Sequence, residues 1–355
     1  MPRYVSLLLL LVCSTAFAVG QEKAPSDSPK LAAMEAAIRS GEFKKIGSVL
    51  IAHHGKLIYE SYFDGDAKTI RNTRSATKTV TSMLVGIAIS KKKLSGVDAQ
   101  ILSLLPEHAR RIQNPDPRKS KITVEDFLTM SSALECDDWN DASRGNEERM
   151  YVIEDWTQFI LDLPIRGRMH LGEQLEAPPY GRFFSYCTGG VFVLSEVLEK
   201  ATGNRTDRLA QQELFGPLGI NDAQWLYSPL QIPMTGGGLG LSSRDLFKLV
   251  QLYLDGGQWQ GNRIIDETWV KTSLQPHARI DEQTEYGYLW WLKTFTSGAK
   301  NYPAFFMSGN GGNKVMGIPQ LSLAVVITST NYNARGMHEQ TEKLLTDYIL
   351  PSIAP

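Results

Sequence analysis

Ser75 and Lys78 stand three residues apart in the run Arg74-Ser75-Ala76-Thr77-Lys78, which opens the apolar stretch Val80 to Ile89. On a helix, positions i and i+3 share a face, so an ammonium can lie beside a hydroxyl. A serine hydroxyl becomes a useful nucleophile when a neighbouring base takes its proton. Lysine can be that base if burial disfavours its charged form, and Val80, Met83, Leu84 and Ile87 supply apolar surroundings. The spacing alone is weak, because Ser90/Lys93 and Ser297/Lys300 repeat it. Context separates the three. Only Ser75 opens an apolar-periodic helix, whereas Ser90 falls in a basic helix end and Ser297 in a glycine-containing turn.

Two other stretches offer chemistry. Phe184-Ser185-Tyr186-Cys187-Thr188-Gly189-Gly190 puts a tyrosine at a helix start, where the dipole favours a phenolate. Tyrosine near lysine can relay the serine proton to a leaving group; the plainer reading is a core tyrosine. Ser308-Gly309-Asn310-Gly311-Gly312-Asn313 precedes a strand, and its glycines let a strand edge approach a substrate. A backbone N–H there, with that of Ser75, would form an oxyanion hole; the alternative is a hairpin turn. Other hydrolase and metal signatures are missing. Gly240-Leu241-Ser242-Ser243-Arg244 fails as a G-x-S-x-G elbow, and His338-Glu339 lacks the second histidine of H-E-x-x-H. The scattered histidines and cysteines give no metal spacing, so neither metal nor cofactor is expected. The Gly236–Gly240 run lacks a phosphate loop's Lys-Ser/Thr ending and reads as a tight connection.

The elements that must position these residues follow from pattern. Leu31 to Ile38 is amphipathic. Gly47 to Ala52 and Leu57 to Phe63 flank the turn His53-His54-Gly55-Lys56 as a hairpin. From Ser75 to about residue 230 the chain is mostly helical. Thr123 and Asp126 form a capping box, residues 189–202 a helix stopped by Gly203, and Ser242 caps a helix through Leu254. Strands are expected at Tyr288–Leu292, Ala304–Met307, Lys314–Pro319 and Ser322–Thr328, then a helix over 337–350. The fold class is α+β: an antiparallel sheet built from both ends of the chain, flanked by helices, with a helical insertion over about 75–230. The acidic loop 135–141 reads as a solvated surface loop, with a substrate-facing role as the alternative.

The chain has 355 residues and a net charge of −1, with no basic stripe, which is no footprint for nucleic acid. Arg3, the apolar run Val5–Val12 and Ala16-Phe17-Ala18 read as a signal peptide over 1–18, too short to span a bilayer. Cleavage leaves no stable membrane anchor, predicts a periplasmic or extracellular protein, and shifts the charge to about −2. Residues 19–44 are then a lead-in with one helix before a single domain over 45–350. Cys136 and Cys187 remain as an even pair: a disulfide if exported, or two buried thiols.

In order and spacing, the Arg-Ser-Ala-Thr-Lys start, FLTMSS at 127–132, FSYCTGG at 184–190, GYLWWL at 287–292 and SGNGGN at 308–313 form one pattern. It resembles the class C-like branch of the serine β-lactamase and penicillin-binding-protein superfamily, which includes carboxylesterases and 6-aminohexanoate-dimer hydrolases. The resemblance implies Ser75 as acylated nucleophile, Lys78 as its proton partner and Tyr186 as general base and acid. It implies Thr188, Asn310, Gly311, Gly312 and Asn313 at the substrate. Two departures stand out. Thr188 replaces the family's asparagine, and the third motif carries no cation, with Lys314 the nearest substitute. That favours a small-molecule ester or amide substrate over a β-lactam or a D-Ala-D-Ala peptide. A non-catalytic binding module is the alternative of another class. The oligomeric state is not legible.

Overall fold

A computed structural model describes residues 28–166 and 183–354. The signal-peptide expectation at 1–18 lies outside the described residues, as do residues 19–27 of the lead-in. Helix α1 (Pro29–Arg39) buries Leu31, Met34 and Ile38, the i, i+3, i+7 face of its pattern. Strands β1 (Ile46–His53) and β2 (Lys56–Tyr62) form the expected hairpin. Both turn residues, His54 and Gly55, have left-handed φ, the conformation that matches strand twist in a two-residue turn.

The C-terminal third supplies β3 (Ala278–Arg279), β4 (Thr284–Tyr286), β5 (Trp291–Ser297), β6 (Lys300–Gly309), β7 (Asn313–Ile318) and β8 (Leu323–Ser329). The eight strands run in the order β2-β1-β8-β7-β6-β5-β4-β3, every pair antiparallel. β1 is thus stitched between β2 and the C-terminal β8, and the sheet is built from both ends of the chain as the sequence implied. Alternation sorts the side chains. Leu50, Met307 and Val315 face one apolar core beneath the helical insertion, while Ile51, Phe306 and Met316 face a second core under α1 and the C-terminal helices. Helix α5 (Met337–Leu344) begins that C-terminal stretch, which continues helically to Ile353.

Within the insertion, α2 (Thr77–Ser90) is buried from Thr77 through Ala88, so it is apolar nearly all round. Residues 124–128 form a helix with both capping-box bonds between Thr123 and Asp126. α3 (Thr188–Thr202) ends at left-handed Gly203, and α4 (Ser243–Leu254) is capped by Ser242 Oγ accepting from the Asp245 N–H. Among the described residues no helix is long and apolar enough to cross a membrane.

One expected strand needs correction. Tyr288 and Leu289 form a bend, and β5 starts only at Trp291. Leu289 has φ 59°, donates to Leu128 O and accepts from Thr79 Oγ1 at 2.7 Å. Docking on two insertion helices outweighs the β propensity of Tyr288 and Trp290.

Candidate active site

Ser75 lies in a single 3-10 turn, Arg74–Ala76, that leads into α2. One turn on, Lys78 is 1 % exposed and donates to Ser75 Oγ at 2.9 Å. The ammonium also donates to the Gly236 carbonyl, and 5.0 Å separates Nζ from the Tyr186 ring centroid. Burial pulls the Lys78 pKa down to about 8, with Glu147 and then Asp138 opposing it. The other two Ser-x-x-Lys matches separate as their contexts implied. Ser90 closes α2, and Ser297 pairs across a hairpin with Lys300.

Tyr186 precedes the Cys187 N-cap of α3. Burial drives its phenol well above the usual range. Hydrogen bonding with Ser75 opposes this, while Asp138 and Glu147 reinforce it. The expected dipole-stabilised phenolate is therefore corrected: desolvation and two nearby carboxylates outweigh the helix end, and the resting group is a phenol. Thr188 is 1 % exposed; its N–H donates to Asp138 Oδ2 at 2.6 Å and its Oγ1 has no hydrogen-bond partner.

Residues 310–312 form the turn between β6 and β7, and Asn313 opens β7. Gly311 and Gly312 have φ of 94° and 88°, and a Cβ on Gly312 would lie 2.3 Å from Met337 O. Asn310 exchanges bonds with Asn333, and buried Asn313 is committed to Asn310 O at 2.8 Å and to the Ser329 N–H at 3.0 Å. The strand edge comes against the serine turn one residue earlier. A Cβ on Gly309 would lie 1.8 Å from Thr73 O and 3.3 Å from Ala76 N. Lys314, considered as a replacement cation, points to the opposite face of the sheet. It pairs with Glu342 at 3.1 Å, over the Phe306 ring, so it is unavailable to a substrate beside Ser75.

The acidic loop is solvated at Trp139 (60 % exposed), Asn140 and Asp141, as the sequence reading had it, but its first half packs on the tyrosine segment, which was the alternative. Cys136 and Cys187 are disulfide-bonded, with Cα atoms 5.4 Å apart. The Asp138 N–H donates to Tyr186 O at 2.8 Å, and Trp139 stacks on the Tyr186 ring with planes 4° apart and centroids at 5.3 Å. Trp291 completes an aromatic wall, its centroid 5.9 Å from Tyr186 and 6.5 Å from Trp139. Glu147 and Gly236 are site residues that motif reading missed. Gly309 lies in the Ser308–Asn313 stretch it singled out, and Asp138 and Trp139 in the loop whose substrate-facing role was the alternative, a placement that the Cys136/Cys187 pair also pointed to. Among the described residues one cluster gathers metal-ligand types: His108, Asp155 and Glu196. His108 Nε2 lies 2.9 Å from Glu196, and Arg111 bonds both its Nδ1 and Asp155, so the group is an ionic hydrogen-bond network.

A half-buried serine bonded to a buried lysine, a tyrosine and a strand edge between a two-ended antiparallel sheet and a helical insertion define a class C-like β-lactamase-type protein. The β-lactamase family profile matches residues 45–346, and the chain belongs to that family. It is 24 % identical over 282 residues to a 6-aminohexanoate-dimer hydrolase of Paenarthrobacter ureafaciens, covering 76 % of this chain and 66 % of that protein's length. Among solved structures, the fold matches a penicillin-binding-protein homologue of Caulobacter crescentus (TM-score 0.67, 15 % identity, 93 % of this chain and 98 % of the other). It also matches EstCE1, described as a hydrolase with promiscuous acyltransferase activity (TM-score 0.67, 15 % identity, 89 % and 97 %).

Proposed function

We propose that this protein is an exported serine hydrolase that forms an acyl-enzyme on Ser75 and acts on esters or small amides. The observation that carries the reading is the fully buried Lys78 ammonium bonded to Ser75 Oγ, because burial lets that amine lose its proton near neutral pH. Neutral Lys78 takes the hydroxyl proton as Oγ attacks the substrate carbonyl carbon. As the tetrahedral intermediate collapses, the Tyr186 phenol protonates the departing alcohol or amine, and the Lys78 ammonium restores the phenol's proton. Water then attacks the acyl ester, Lys78 accepts its proton, and Ser75 leaves with a proton returned through the same pair. The Trp139–Tyr186–Trp291 wall favours substrates with a flat apolar group. With Lys314 held by Glu342, the site has no cation on β7 for a β-lactam carboxylate.

Export rests on the Arg3-to-Ala18 pattern, and the Cys136–Cys187 bond supports an oxidising compartment. The test of function is hydrolysis of p-nitrophenyl butyrate by the wild type beside Ser75→Ala. Loss of turnover in the variant supports the nucleophile; equal rates remove Ser75 from the mechanism.

A further inference from the structure

Asp138 makes three hydrogen bonds that tie the segments of this site together. Its N–H donates to Tyr186 O at 2.8 Å. Oδ2 accepts the Thr188 N–H at 2.6 Å, the first residue of α3. Oδ1 accepts the Glu147 N–H at 2.9 Å, at the start of the short helix Glu147–Met150. One side chain therefore ties the tyrosine segment to the acidic loop and caps two helix starts at once. Because both oxygens accept from backbone N–H groups, only a carboxylate satisfies them; an amide would turn its NH2 toward one of those donors. Cys136, two residues earlier, is bonded to Cys187 between the two anchored positions, so the placement is covalently fixed.

We propose that Asp138, bonded to the Glu147 N–H, is the positioning residue of this site: it holds Tyr186 and Thr188 in place against Ser75 and sets its carboxylate beside the Lys78–Tyr186 pair. The proposal rests on the Ser75–Lys78 hydrolase reading. The groups around the lysine are Ser75 on the 3-10 turn, Tyr186 just before α3, Asp138 on the acidic loop, Glu147 at the start of the helix Glu147–Met150 and the Gly236 carbonyl. Burial alone would strip the Lys78 proton at a lower pH; the two carboxylates act in the other direction and bring the exchange near neutrality, where a proton shuttle is most effective. Asp138 is itself affected. Burial and then Glu147 push it up to about 6, while Lys78 and the hydrogen bond from the Thr188 N–H pull it back.

The test is the second-order rate of Ser75 phosphonylation by a fluorophosphonate between pH 5 and pH 10, using the full chain with its disulfide intact. In this reaction the Oγ–P bond forms, fluoride leaves and Lys78 takes the hydroxyl proton. Wild type, Ser75→Ala, Glu147→Gln and Asp138→Asn are compared by intact mass. Glu147→Gln keeps the backbone N–H that Asp138 accepts and removes only charge. Its acid limb is expected to move about one pH unit toward acid, with the plateau rate nearly unchanged. Asp138→Asn is expected to show the same direction of shift and a plateau about tenfold lower, because one backbone donor loses its acceptor. A purely structural Asp138 would lower the plateau and leave the limb in place. An unmoved limb in Glu147→Gln overturns the proposal whether or not Asp138→Asn folds. Labelling of Ser75→Ala at the wild-type rate, or no labelling of the wild type, overturns the nucleophile reading instead, and the proposal with it.

Discussion

Gly309→Ala tests how closely the sheet must meet the serine turn. Gly309 ends β6, and an added Cβ would lie 1.8 Å from the Thr73 carbonyl oxygen. Contacts below 3.0 Å are essentially never seen for real Cβ atoms, so strand and turn must part by roughly 1.2 Å. Both partners are backbone, one in a sheet interior and one leading into the buried start of α2, so neither yields by a side-chain rotation. Gly309 is not among the residues with positive φ, so the whole penalty is steric. Overpacking of this kind costs about 1–3 kcal/mol of stability, which leaves most of a chain of this size folded. A displacement near 1 Å at a reacting group costs about 100-fold in rate, equivalent to about 2.7 kcal/mol of barrier. The assay is kcat/KM on p-nitrophenyl butyrate, with near-UV circular dichroism to confirm the folded fraction. A folded variant within threefold of wild type would refute the argument that this contact sets the position of Ser75.

Two further predictions concern the acidic loop. Reduction of Cys136–Cys187, or the double change Cys136→Ser with Cys187→Ser, removes a link of sequence separation 51. It is expected to lower stability by up to about 4 kcal/mol on the chain-entropy estimate. Esterase activity should fall at temperatures where the chain is still folded, because Tyr186 adjoins the bond; full activity in the reduced, folded protein would contradict this. Trp139→Ala removes the ring stacked on Tyr186. It should raise KM for naphthyl esters several-fold, with a smaller change for acetyl esters; equal changes for both would exclude the wall from substrate recognition.

The sequence determined a good deal of this protein by itself. The two ends of the chain read as strands because alternation at period 2 is a local property, and the capping box at Thr123/Asp126 and the stop at Gly203 are local in the same way. The Ser75–Lys78 spacing needed only helix geometry to bring the two groups to 2.9 Å. Tertiary structure decided the rest. The lysine's second partner, Gly236 O, is 158 residues away, on a glycine run that read as a plain connection. Asp138 joined the site, instead of facing water, because a disulfide and backbone bonds pin its loop to the tyrosine segment. The phenol state of Tyr186 followed from burial and from carboxylates on that loop, where the helix start alone had pointed to a phenolate. Irregular loops carry no periodicity, and desolvation depends on every element packed around a group. Neither can be summed from neighbours along the chain.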